Sequence, residues 1–264
     1  MIINKSLNLM KFDPYIKTEE TICKLLERDK DDISDDFTLM FMPLTHIINE
    51  LGVRAANQVI NHEKGVVKNS RRVFVCQHIF VNQLNFRDSD IVFTPHSNIE
   101  DNFYTIPHYA VNFNKPVIEK KEGFSFLGST TTHWTRKKIT EVYDNCYDSG
   151  THWGLDNNLS NDFKQKYIDH TNKFQYALCP RGTGISSVRL FEAMAMNCTP
   201  IIIADNYKLP LDDIINWDDY VIRVPERDVL KIKKYIEPKN NILEIYNKYF
   251  ANDNLHETIK YTLR

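Results

Sequence analysis

The chain has 264 residues, 42% hydrophobic and 26% charged, a composition that excludes a disordered chain and predicts one large domain or two small ones. Lys and Arg number 33 against 35 Asp and Glu, and a net charge of −2 excludes a polybasic nucleic-acid binder. Cys23, Cys76, Cys146, Cys179 and Cys198 are scattered, with no C-x-x-C pair. That pattern predicts neither a disulfide framework nor a zinc site, and suits a reducing compartment. Nowhere do about 18 apolar residues run together, so the chain reads as soluble, unanchored and cytoplasmic.

In chain order, Thr21–Arg28 reads as a short helix and Asp29–Asp36 as an exposed acidic connector. Thr38–Met42 is an apolar strand ended by Pro43. Leu44, Ile47, Ile48, Leu51, Ala55 and Val59 recur at helical spacing and predict a helix with one buried face. Val73–Cys76 and Ile91–Phe93 are short apolar runs of the kind that parallel sheets bury. Phe124–Leu127 then reads as a strand ending at Gly128, followed by a helix over Thr135–Tyr143 and a polar helix over Asn161–Asn172. Strand Gln175–Cys179, helix Ser186–Met196 and strand Ile201–Ile203 come next. Strand Val221–Val224 follows, and Asp228 is expected to cap a helix carrying Val229, Leu230, Ile232 and Ile236.

This alternation predicts α/β architecture with parallel sheets in two small Rossmann-like lobes. The expected division is an N-terminal acceptor lobe over 1–115, a C-terminal lobe over 116–240, and helices over 241–264 that pass back to the first lobe.

The most informative segment runs from Phe174 to Pro210 and reads as strand, glycine-containing turn, helix. Ligands of open parallel sheets bind beyond the carboxyl ends of the strands, where Arg181, Gly182, Thr183 and Gly184 fall. Ser186 or Ser187 is expected to cap the helix, whose N-terminus would hold an anion between Arg181 and Arg189. Glu192 is one turn on from Arg189, suited to accept the two hydroxyls of a ribose, or else to pair with Arg189 as a buried structural partner.

The run Cys179-Pro180-Arg181-Gly182, Ser187, Arg189-Leu190, Glu192-Ala193-Met194, Cys198 and Pro200 resembles the exostosin-type glycosyltransferases, glycosyltransferase family 47. Asp205, Leu209-Pro210, Asn216-Trp217 and Val224–Asp228 continue the resemblance, and Phe126-Leu127-Gly128 with Arg136 resembles the opening of the same lobe, where Gly128 and Ser129 are expected among the donor-binding residues. The resemblance implies a GT-B-like fold and an inverting transfer from a nucleoside diphosphate sugar to a hydroxyl of a glycan or glycoprotein. It implies a UDP-sugar, with UDP-xylose the first guess, and no essential metal or other cofactor. It also implies that Arg136, Arg181, Arg189 and the helix N-terminus stabilise the leaving diphosphate. Asn197 stands where the family usually has glycine; asparagine tolerates the left-handed conformation that ends a helix. The chain is short for the family and shows no membrane anchor, which a small cytoplasmic viral or bacterial member would fit.

An inverting transfer needs a proton acceptor, and in a two-lobe enzyme it comes from the first lobe. His96 and Asp101, on the loop after the Ile91–Phe93 strand, are the first candidates, with His78 behind them and Glu100 adjacent. Asp88-Ser89-Asp90 matches a metal-binding D-x-D pattern but reads as a turn before a strand, and the nine histidines show no metal-site spacing. Trp134, Trp153 and Trp217 are candidates for a sugar site or for the core. The rival reading is a noncatalytic carbohydrate-binding protein with a degenerate glycosyltransferase fold.

Overall fold

The computed structural model describes residues 1–5, 11–12, 17–63, 67, 70–150 and 161–264. The chain forms two compact units: unit 1 is 1–107 with 208–211 and 252–264, and unit 2 is 108–207 with 212–251. Residues 108–115 therefore cluster with unit 2, where the sequence reading had put them in the first lobe. Of the C-terminal stretch 241–264, residues 252–264 belong to unit 1 and 241–251 to unit 2.

Unit 1 contains β1 (Ile2–Asn4), α1 (Lys17–Arg28), β2 (Phe37–Met40), α2 (Leu44–His62), β3 (Arg71–Val75), β4 (Ile91–Thr94) and β5 (Tyr104–Thr105). Its five strands are parallel and lie in simple sequence order, β1-β2-β3-β4-β5. Phe74, Val92, Ile47, Ile48 and Ile60 are among the core residues between strands and α2. The single helix expected over 44–59 is broken at Gly52, whose φ of 82° lies in the left-handed region that glycine adopts without penalty. The break takes Leu51 out of the apolar stripe and leaves it 61% exposed.

Unit 2 contains β6 (Lys121–Gly128), α3 (Trp134–Val142), β7 (Cys146–Asp148), α4 (Asn161–Asn172), β8 (Phe174–Pro180), α5 (Arg189–Ala195), β9 (Thr199–Ile203) and β10 (Ile222–Val224). A 3-10 helix over Glu226–Tyr235 and the short α6 (Ile242–Ile245) follow, while α7 (Glu257–Thr262) closes the chain in unit 1. The sheet of unit 2 is parallel, in the order β10-β9-β8-β6-β7. Chain order thus reverses between β6 and β8: the chain leaves β6 for β7 on one side and crosses to β8 on the other. In such a doubly wound sheet the crevice at the carboxyl ends of the two switch strands is where ligands bind.

Two local expectations are corrected. The helix expected from Ser186 begins only at Arg189, with Val188 at its N-cap position, so neither Ser186 nor Ser187 is its cap. Asp228 does not start a helix; it lies inside the 3-10 helix that begins at Glu226, where its carboxylate accepts from Lys231 and Tyr235. Asn197, by contrast, has a φ of 54° directly after α5, the left-handed terminus expected where glycine is usual. All five cysteines are unpaired and buried.

Candidate functional site

The loops that leave β6 and β8 bring together most of the residues singled out in the second lobe. Arg136, in the first turn of α3, is buried. Its Nε donates to the carbonyl of Arg181 (2.8 Å), Nη2 to that of Pro180 (3.2 Å) and Nη1 to that of Ser129 (3.3 Å). The guanidinium thus ties the post-β6 loop to the post-β8 loop, with carbonyl oxygens as its bonded partners. Burial and then the charge of Arg189 push its pKa down to about 9, so it remains protonated at neutral pH.

Arg189 is also buried, donates from Nη2 to the carbonyl of Leu127 (3.0 Å), and lies over the ring of Phe126. The two glycines admit these guanidiniums. A Cβ on Gly128 would stand 2.0 Å from Nη2 of Arg189, and one on Gly182 would stand 3.0 Å from Nη2 of Arg136. The space that sequence reasoning assigned at Gly182 to a ligand is filled from below by arginine.

Arg181 is partly exposed, bonded to the carbonyls of Gly182 and Thr183, with Nη1 3.8 Å from Oε1 of Glu226. Thr183 is exposed and Gly184 half-buried. Ser129 pairs its hydroxyl with that of Thr131 (2.9 Å), and Ser186 pairs with Nε2 of His108 (2.7 Å). Two hydroxyls on these loops are buried with no hydrogen-bond partner: Oγ of Ser187, in a residue 9% exposed, and Oγ1 of Thr132. A buried hydroxyl without a partner is costly, and a ligand's oxygen would satisfy it.

Glu192 is fully buried. Its Oε1 accepts from the backbone (2.9 Å) and side-chain (3.1 Å) nitrogens of Asn112, and its Oε2 accepts from the hydroxyl of Tyr167 (2.7 Å). Burial raises its pKa, opposed by these bonds and by Arg189. The carboxylate anticipated on a ribose is engaged by protein donors, Asn112 and Tyr167, which are remote in sequence and carry no local signal of the contact.

Sequence reasoning also missed His133 and Glu226. Oε2 of Glu226 is 3.6 Å from Nε2 of His133, and Glu226 and Asp205 exchange backbone-to-carboxylate bonds of 3.2 and 3.0 Å. Glu226 lies in the Val224–Asp228 stretch that carried part of the family resemblance, which was the available signal; His133 had none.

In unit 1, Asp101 organises its own loop, accepting from Ser97 Oγ (2.6 Å), Asn98 N (2.9 Å) and Phe103 N (3.1 Å). Nδ1 of His78 accepts from Phe80 N (3.0 Å), which leaves the proton of the neutral ring on Nε2; burial lowers its pKa and favours that neutral form. His96 is half-buried after β4, and Glu100 is exposed. Asp90, just after the turn at Asp88-Ser89, is the bidentate partner of buried Arg72. Trp217 is buried and stacked on Phe250, a core residue; Trp134 is half exposed at the start of α3; Trp153 lies outside the described residues. Asp29, His256 and Glu257 in unit 1 have metal-like spacing, yet Arg28 and Lys260 already share those carboxylates.

The exostosin GT47 domain matches residues 44–238, a span that includes every arginine and glycine of this site. The chain belongs to that family. A probable glycosyltransferase of Arabidopsis thaliana is 29% identical to it over 117 residues, 43% of this chain and 22% of that protein. A probable glucuronosyltransferase of Oryza sativa subsp. japonica is 39% identical over 40% of this chain and 22% of its own length. A probable beta-1,4-xylosyltransferase of Arabidopsis thaliana is 38% identical over 40% of this chain and 23% of its own length. The matched part of this GT47 chain therefore spans less than a quarter of these relatives. Among solved structures, the GtfA/B complex (11% identity, TM-score 0.38) aligns with 93% of this chain and 60% of its own. TarM (13% identity, TM-score 0.33) aligns with 92% and 55%. Among the described residues, no helix of the GT47 chain is long and apolar enough to cross a membrane.

Proposed function

We propose that this GT47 protein is a glycosyltransferase that holds a nucleoside diphosphate sugar at the β6/β8 switch point of unit 2 and transfers its sugar to a hydroxyl of a glycan. The observation that carries the reading is Arg136: a buried guanidinium, protonated at neutral pH and bonded to three carbonyls at the place where a doubly wound sheet binds ligands. A diphosphate supplies the counter-charge and fits guanidinium geometry, and the unpartnered hydroxyls of Ser187 and Thr132 add neutral donors beside it.

In the inverting reaction we propose, the acceptor oxygen attacks the anomeric carbon opposite the diphosphate. The bond to the diphosphate oxygen breaks, and that oxygen leaves with the electron pair. Arg136, Arg181 and Arg189 stabilise the charge it gains, so the protein's own cations serve the leaving group. A base takes the acceptor's proton. His96 and Asp101 are proposed for that base, with His78, whose neutral ring carries its proton on Nε2, behind them. The donor we propose is a UDP-sugar, as the family resemblance implies; xylose or glucuronic acid as its sugar is supported by the names of the similar plant proteins.

Thermal unfolding with UDP, GDP, CMP, UDP-xylose and UDP-glucuronic acid, with and without EDTA, tests the reading in wild type and Arg136→Gln. A uridine nucleotide at about 100 times its Kd should add about 2.7 kcal/mol to wild-type stability, in EDTA as well, and nothing to the variant. A wild-type protein that responds to no nucleotide sinks the proposal.

A further inference from the structure

His133 is the residue before α3, at the end of the loop that follows β6. Its Nδ1 is 2.9 Å from the hydroxyl of Thr135, and its ring lies against that of Trp134 with centroids 5.9 Å apart. Its Nε2 is 3.6 Å from Oε2 of Glu226, ionic range but too long for a hydrogen bond. The same carboxylate faces Arg181. The charged groups acting on His133 are thus Glu226 from the loop after β10, Arg181 from the loop after β8, and Arg136 from α3.

We propose that His133 is a further ligand of the donor's diphosphate, taking up a proton as the donor binds. The proposal rests on the donor reading above and adds a titratable fourth cation to its three arginines. Burial is the main cause holding His133 below the ordinary histidine range, opposed by Glu226 and reinforced by Arg181 and Arg136. In the free protein His133 is therefore a neutral imidazole at neutral pH, because burial and, after it, two neighbouring guanidiniums disfavour its positive charge. A diphosphate reverses that balance: its charge offsets the arginines, and protonated Nε2 becomes a donor to a phosphate oxygen. Affinity then rises as pH falls from the pKa of the bound state to that of the free state, by up to about tenfold per pH unit, and levels off below.

The test is calorimetric titration of UDP-xylose and UDP-glucuronic acid near pH 7 in two buffers of different ionisation enthalpy. Neither diphosphate diester titrates there, so the difference in heat reports protons taken up by the protein. Wild type should take up a fraction of a proton per ligand, and His133→Asn none, with weaker and pH-independent binding. Glu226→Gln, which keeps the acceptor for Asp205 N but loses the charge, should still take up protons, with the onset moved to lower pH. Wild-type binding without proton uptake, or equal uptake in His133→Asn, overturns the role of His133 and leaves the donor site standing. Absence of any wild-type binding removes both readings.

Discussion

Both units of the protein bury arginine beside their parallel sheets, and Arg72 of unit 1 and Arg136 of unit 2 are compensated differently. In unit 1, Arg72 is 1% exposed and held bidentately by Asp90, with a third bond to the carbonyl of Ile60 (3.1 Å). In unit 2, Arg136 is 8% exposed and its three bonds go to carbonyls. The sheets differ in the same sense. The strands of unit 1 follow chain order and create no reversal, whereas those of unit 2 reverse between β6 and β8. Arg72 has its counter-charge within the chain, so removing Asp90 would leave an uncompensated buried cation. Arg136 is bonded to carbonyls alone at a topological reversal, and in the proposed reading its counter-charge comes from the bound diphosphate.

The largest expected effect breaks the compensated pair. Asp90→Ala strands the Arg72 guanidinium and should cost about 3–5 kcal/mol in denaturant unfolding, with the nucleotide response of unit 2 retained if the protein folds. Arg136→Gln should cost less in the free protein and abolish the nucleotide response. A larger loss from Arg136→Gln than from Asp90→Ala would overturn the contrast.

Unit 1 also buries a carboxyl group whose partners among the described residues are neutral donors. Glu19 accepts from Thr45 N (3.2 Å) and Gln77 N (3.1 Å), and desolvation is the main cause that raises its pKa from 4.5 to about 7. Its folded pKa exceeds the unfolded one, so the native state binds the extra proton and stability falls as pH rises from about 4.5 to 7, then stays level. The difference amounts to about 3 kcal/mol, and Glu19→Gln should remove it from a pH series of unfolding curves. A carboxylate can escape burial by protonating; a guanidinium at neutral pH cannot, which is why the anion argument rests on Arg136.

Smaller effects should come from the two glycines. Gly128→Ala forces a Cβ into Arg189 and should cost about 1–3 kcal/mol, along with nucleotide binding. Gly182→Ala meets Arg136 at a longer distance and should cost less. Equal costs would mean that the arginines adapt freely, and that the glycines are not what orders them.

By itself the sequence determined the α/β class, the positions of most strands, and the stretch from Phe174 to Pro210 as the chemically informative one, because short apolar runs, turn residues and their spacing are local properties. It also determined Asn197, since few residues tolerate a left-handed helix end. The strand order that puts β6 beside β8 was decided by tertiary structure, because crossover direction depends on how whole units pack. So were the late start of α5, which removed both serine caps, and the break at Gly52 that turned Leu51 outward. Glu192 shows the limit most clearly: its offset from Arg189 was legible, but its burial beneath Asn112 and Tyr167 was not. Hydrogen-bond partners 80 and 25 residues away come together only when the sheet is assembled, and desolvation at such a contact leaves no periodicity to read.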